Sequence, residues 1–197
     1  MRWPWQKGNP LDNPKAYIAD VKRQAEAKIN SPEYRAASAC LACATNYMRK
    51  PTLGDTSRLD TNTYLKAMCE TVCFLMHLCD RRLAQSVPHL RQERMDKILK
   101  CSIEEFAEEV SNNVKDVGDS EKVARELLVP LWEARSKEYS IYTHDASGIA
   151  VELYAMFFAE NLASLGKLGY EISIDVQMEL PKMQRALLTS VPELFRK

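Results

Sequence analysis

The chain has 197 residues, 46% of them hydrophobic, and its 27 Lys and Arg residues are balanced by 27 Asp and Glu. This composition is typical of an ordinary soluble globular protein, and it excludes a disordered or membrane-embedded chain. The longest stretch without a charged side chain, 36–48, is shorter than the roughly 18 residues that a membrane-spanning helix needs. We therefore expect one soluble domain with no transmembrane segment.

The first residues combine aromatic and basic side chains and lack the apolar run of a secretory signal. We therefore expect a cytoplasmic protein whose six cysteines stay reduced. We interpret 1–12 as an N-terminal arm and 13–197 as a helical domain. In the arm, Trp3 and Trp5 lie beside Arg2 and Lys7, and the two tryptophans are candidate anchors for a protein partner.

Two helix starts are marked by a capping side chain followed by proline, at Asn13-Pro14 and at Ser31-Pro32. The first helix should pack on one side only, through the apolar stripe Tyr17, Ile18, Val21, Ala25 and Ile29. The second, from about Pro32 to Arg49, is small or apolar all round in its middle. This pattern predicts the central helix of the fold.

Helical patterns continue through the middle of the chain. A long apolar stripe runs from near Thr63 to Leu83, and past Pro88 the same period continues to Val114. Ser102 has the form of a capping residue that would split this last segment, but we favour one bent helix.

The next predicted helix follows Gly118-Asp119-Ser120 and should kink at Pro130, because proline lacks the N–H group that a helix interior uses. Its inward face is predicted to be Val123, Leu127, Leu131 and Ala134. A further helix begins at Thr143 or Asp145 and ends near Leu165.

Residues 170–180 alternate apolar and polar side chains, which is a strand pattern. A helix from Ser173 also keeps an apolar stripe, and a lone strand would leave its backbone groups unpaired. We therefore favour a helix there. The fold class predicted is an all-α, single-domain bundle of six or seven helices, in which 170–180 is the one strand-like segment.

The cysteines have the most suggestive spacing for chemistry. Cys40 and Cys43 share one predicted helix, and Cys69, Cys73 and His77 follow at four-residue steps on the next. Such neighbours share a helix face, so the two groups could surround a zinc or copper(I) ion. However, Cys69, Cys73 and His77 lie progressively farther round the helix from the predicted core stripe. Buried cysteines that act as small apolar side chains explain the same positions. Core filling is the favoured interpretation, with a metal site as the alternative.

The doublet His144-Asp145 resembles the one with which metal-dependent phosphohydrolases hold a divalent ion. A second histidine and another aspartate, from His77, Asp80 or Asp175, would have to converge on it. Such a doublet arises readily by chance in a chain of this composition, and Asp145 can equally cap the following helix. We favour the cap.

Charge is divided between the halves of the chain: residues 1–100 hold 17 basic and 10 acidic side chains, and residues 101–197 hold 10 and 17. The basic residues cluster from Arg81 to Lys100. Arg81, Arg82, Arg91 and Arg94 are candidate partner-binding residues. Nucleic-acid binding through this stretch is disfavoured, because stacking aromatics and a helix-turn-helix turn are missing.

We therefore expect a non-enzymatic protein-binding, adaptor or regulatory protein. An immunity or chaperone-like partner of some effector falls inside this class, and a homodimer is one form that the association could take. No cofactor is expected. The alternatives are a metal-dependent protein that uses the cysteine and histidine groups or His144-Asp145, and nucleic-acid binding through Arg81–Lys100.

Overall fold

The computed structural model describes residues 22–23, 25–49, 59–114, 118–140, 158, 160–162, 164, 182, 185–187 and 189–196. The chain divides into two compact units, residues 1–31 and 32–197. The predicted boundary between residues 12 and 13 lies outside the described residues, and so does the segment 170–180.

In the first unit, residues 25–29 are helical and Asn30 forms a turn. The backbone N–H of Asn30 donates to the carbonyl of Glu26 over 3.0 Å and closes the last helical turn. Ala25 and Ile29 belong to the predicted apolar stripe, yet both are exposed, and Ile29 keeps 55% of its accessible surface. The expectation that this stripe is buried is therefore wrong at these two positions.

The second unit is a bundle of helices. Its long helices are α1 (Pro32–Met48), α2 (Thr61–Ser86), α3 (Arg91–Asn113) and α4 (Ser120–Ser140). Two short 3-10 helices, η1 (Pro88–Leu90) and η2 (Pro192–Phe195), accompany them. Helices α2 and α3 pack against each other, and both contact α1 and α4. The all-α prediction is confirmed. Among the described helices, none is both long enough and apolar enough to cross a membrane.

Aspartate side chains cap two of these helices. Asp60 accepts a hydrogen bond from the backbone N–H of Thr63 over 3.0 Å at the start of α2. Asp119 accepts one from Lys122 over 3.0 Å at the start of α4. Ser102 is buried inside α3 instead of capping it, so residues 91–113 form one helix, as favoured from the sequence.

The core is centred on α2, because every residue from 67 to 80 is buried. The prediction that α1 is central is therefore wrong: α1 buries one face and leaves Ala42 and Asn46 exposed. Phe158 joins the two helices, since its ring stacks on Phe74 at 4.5 Å between centroids and meets Tyr47 at 6.0 Å.

Helix α4 faces the core through a slightly different set of residues than predicted. Ala124 and Leu128 are fully buried, whereas the predicted Val123, Leu127 and Leu131 are half-buried and Ala134 is exposed. Arg135 lies on the same face of α4 as Ala124 and Leu128 and pairs there with Glu70 of α2.

Candidate functional site

Several residues of the basic stretch, Arg81 to Lys100, make contacts within the bundle. Arg91, at the start of α3, donates through Nε and Nη2 to the two carboxylate oxygens of Asp80, each over 2.6 Å. The Asp80 side chain is only 11% exposed, and this hydrogen bonding raises the pKa of Arg91. A cavity of about 250 Å³ lies beside the pair, with Trp132 of α4 in its wall. The contact ties α2 to α3, while the Arg91 side chain itself stays 46% exposed.

Arg94 holds the C-terminal end of the chain. Its guanidinium donates to the carbonyl of Leu194 through Nη1, and to the carbonyl of Arg196 through Nη2 over 3.3 Å. Arg35 of α1 adds a second contact, since its Nη2 lies 3.2 Å from Oε2 of Glu193. Leu194 is fully buried between these polar contacts. Arg94, predicted to bind a partner, therefore anchors η2 of its own chain.

The other predicted partner-binding residues are distributed differently. Arg82 is exposed on α2, and Arg81 is half-buried and adds positive charge around His77. Trp3 and Trp5 lie outside the described residues. Between residues 81 and 100, Arg82, Arg91, Lys97 and Lys100 are exposed, and Arg81 and Arg94 are half-buried.

Glutamates that follow the basic stretch bond to tyrosines of the neighbouring helices. The Tyr34 hydroxyl of α1 donates to Glu105, and the Tyr64 hydroxyl of α2 donates to Glu109 over 3.0 Å. The hydrogen bond to Glu105 raises the pKa of Tyr34 to about 12, and burial with the nearby Glu109 raises that of Tyr64 to about 12. Both phenols stay protonated at neutral pH and act as fixed donors between helices.

The cysteines are free thiols. Cys40 of α1 and Cys79 of α2 are fully buried and hydrogen-bonded to each other, and that bond raises the pKa of Cys40. Burial raises the pKa of Cys69 and Cys73. Since the thiolate is the nucleophile and the metal ligand, these protonated side chains serve best as small apolar groups of the core.

The predicted metal ligands do not converge. Within the part of the chain that the structure describes, no three His, Cys, Asp or Glu side chains are grouped so as to hold a metal ion; this covers Cys40, Cys43, Cys69, Cys73 and His77. His77 is buried, and burial together with Arg81 and Arg91 lowers its pKa to about 3. It is therefore a neutral imidazole at physiological pH. His144 and Asp145 lie outside the described residues.

A buried ion pair that the sequence analysis missed joins α2 to α4. Arg135 donates through Nε to Oε2 of Glu70 over 2.9 Å and through Nη2 to Oε1 over 2.5 Å. Its Nη1 also donates to Glu138 over 2.6 Å. Glu70 lies on the face of α2 opposite the apolar stripe, so helical periodicity predicts a solvated side chain there and gives no local signal that this carboxylate is buried.

A cavity of about 380 Å³ lies next to this pair, between α2 and α4. Its wall is formed mainly by apolar groups of α4 together with Cys69, and charged side chains stand at its edges. The lining residues are Lys66, Cys69, Glu70, Glu126, Leu127, Pro130, Leu131, Ala134 and Arg135. Its size is within the range of small-molecule pockets.

The chain matches no known protein family, and no curated protein or solved structure matches it either. Function is therefore inferred from the geometry of the chain itself.

Proposed function

We propose that this is a non-enzymatic cytoplasmic protein that binds a protein partner through the amphipathic helix of its N-terminal unit. The observation that carries the proposal is the exposure of Ile29, which is 55% exposed. Among the described residues, no other large hydrophobic side chain is exposed. An isolated exposed isoleucine is ordinary, but this one lies on a periodic apolar stripe.

The spacing of that stripe suits recognition of a helix by a groove. Ile29 and Ala25 are one turn apart, and Val21 and Ile18 continue the same face in the sequence. Amphipathic helices bind apolar grooves of other proteins through residues at this spacing. In the sequence, residues 14–30 hold four Lys and Arg residues against two Asp and Glu, and this net positive charge favours a protein groove with an acidic rim.

The bundle supports the proposal in a different way. Arg91 and Arg94 are held by Asp80 and by the C-terminal carbonyls, so they contribute to the fold. Arg82 stays exposed, and with Trp3 and Trp5 it is a secondary candidate for the contact. The free thiols fit the reducing cytoplasm.

A photo-crosslinking experiment tests the proposal. A photoreactive phenylalanine analogue replaces Ile29 in the full chain, and a matched variant carries it at Glu26, whose side chain is 61% exposed on the same helix. We expect a discrete adduct with one protein from position 29 and little from position 26. Equal labelling from both positions, or a diffuse mixture of adducts, contradicts the proposal. An adduct of twice the chain's mass identifies a second copy as the partner, which sedimentation then checks.

A further inference from the structure

We infer that the cavity between α2 and α4 binds a small molecule that has an apolar body and one anionic group. The cavity is a separate feature from the exposed helix of the N-terminal unit, and the inference does not depend on the protein partner. Its volume of about 380 Å³ accommodates a bicyclic aromatic ring or a chain of similar bulk.

The apolar requirement follows from the wall. Leu127 and Leu131 are half-buried, one turn apart on α4, and Pro130 and Ala134 continue that side of the cavity. Cys69 of α2 closes the opposite side with a thiol that burial keeps protonated, since its pKa is raised. A ligand that covers these groups removes apolar surface from water on both sides of the contact.

The anionic requirement follows from the charges around the cavity. Arg135 is shared between Glu70, whose side chain is only 6% exposed, and Glu138, which does not line the cavity. Glu126 has a cationic neighbour in Lys122 at 3.9 Å. Lys66 is exposed at the edge and has no ion pair among the described residues. An anionic group on the ligand would complement this ammonium.

Pro130 removes one backbone hydrogen bond of α4 next to the cavity. In a regular helix the N–H of residue 130 would donate to the carbonyl of Glu126, but proline has no N–H. The carbonyl of Glu126 therefore lacks its usual helical donor, and both residues line the cavity. A ligand N–H or O–H next to the apolar body can supply that donor.

Indole-3-propionate is a suitable probe, because it combines an apolar bicycle, a ring N–H and one carboxylate. We expect saturable binding to the full chain by calorimetry, and weaker binding of uncharged indole. Lys66→Gln should weaken the binding of the propionate by roughly fivefold, the effect of losing one exposed charge pair. Lys100→Gln, at an exposed lysine of α3 that does not line the cavity, should leave it unchanged.

A second pair of variants tests the location. Ala134→Trp places a bulky ring in the cavity at an exposed position, so the core is left intact, and it should abolish binding. Glu133→Trp, one residue earlier and outside the lining, is the control and should bind normally. Circular dichroism checks that both variants fold. The inference is overturned if millimolar probe gives no saturable binding, if Ala134→Trp binds as well as Glu133→Trp, or if indole binds as tightly as the propionate.

Discussion

Arg135 and Glu70 form a two-point ion pair between α4 and α2, with N–O distances of 2.9 and 2.5 Å. The Glu70 side chain is 6% exposed and that of Arg135 is 20% exposed, so water competes little for either group. Together with the pairing of Arg91 and Asp80, this contact fixes how α2 is enclosed by its neighbours. The buried carboxylates of α2 are therefore structural elements of the bundle.

Removing one partner of this pair should destabilise the fold strongly. Glu70→Ala removes the two-point contact but leaves the Arg135 guanidinium paired with Glu138, so we expect the free energy of unfolding to fall by about 2 kcal/mol, the value of charged hydrogen bonds. Urea denaturation followed by circular dichroism measures the change. Glu121→Ala is the matched control, because its pair with Arg125 is more than half exposed, and it should cost less than about 0.5 kcal/mol. Similar losses in the two variants would contradict a structural role for Glu70.

His77 should make stability depend on pH below neutrality. Its pKa is about 3 in the folded chain against an ordinary value of 6.5, because burial and the neighbouring Arg81 and Arg91 disfavour the imidazolium. As the pH falls from about 6.5 toward about 3, His77 is protonated in the unfolded chain but stays neutral in the folded chain. His77 therefore lowers the free energy of unfolding by about 1.4 kcal/mol for each pH unit of acidification within that window, and it has no effect above it.

The free energy of unfolding measured between pH 7 and pH 4.5 checks this slope. His77→Met should remove the contribution and flatten the profile. The exposed His89 supplies the control, since His89→Gln should keep the parent slope. Parallel profiles for the parent and His77→Met would show that His77 does not carry the effect.

Arg94 should control the order of the C-terminal segment. Arg94→Met removes the donors to the carbonyls of Leu194 and Arg196, and the net value of about 1–2 kcal/mol for such bonds corresponds to roughly tenfold faster local opening. Hydrogen exchange of residues 189–196 measures it. Lys100→Met, on the same helix but exposed, should not change these rates. Unaltered exchange in Arg94→Met would mean that apolar burial alone holds η2.

The thiols should differ in reactivity by their burial. Alkylation of the native protein at pH 7.5, followed by mass spectrometry, should label the half-buried Cys43 and Cys101 first. Cys40 and Cys79 should react only at the rate of unfolding, because each is fully buried in contact with the other. Labelling of Cys40 as fast as Cys101 in the folded protein would contradict the buried arrangement.

Local signals in the sequence were sufficient to predict the long helices. The proline at Pro32, Gly118-Asp119-Ser120 before α4 and the helical apolar period place α1 to α4 within a few residues of their bounds, and the cap at Asp60 was not anticipated. These signals act between residues that are three or four positions apart, so they are visible without knowledge of tertiary contacts.

The burial of α2 on all of its faces could not be predicted from such local signals. An apolar stripe identifies one buried face, whereas burial of the remaining faces depends on partners for Glu70 and Asp80 that lie 65 and 11 positions away. The sequence therefore led us to place Cys73 and His77 too far from the core. Periodicity also does not reveal whether a stripe is buried in its own chain, and at Ala25 and Ile29 it is exposed.

The affinity of the crosslinked partner for variants of the N-terminal helix tests the central claim most directly. The partner recovered through position 29 is purified, and its dissociation constant is measured with Ile29→Glu and with Glu26→Gln, two exposed positions of one helix. We predict that Ile29→Glu weakens binding by about thirtyfold, as expected for loss of an anchoring apolar side chain, and that Glu26→Gln leaves it nearly unchanged. Equal dissociation constants for the two variants would contradict docking through this helix.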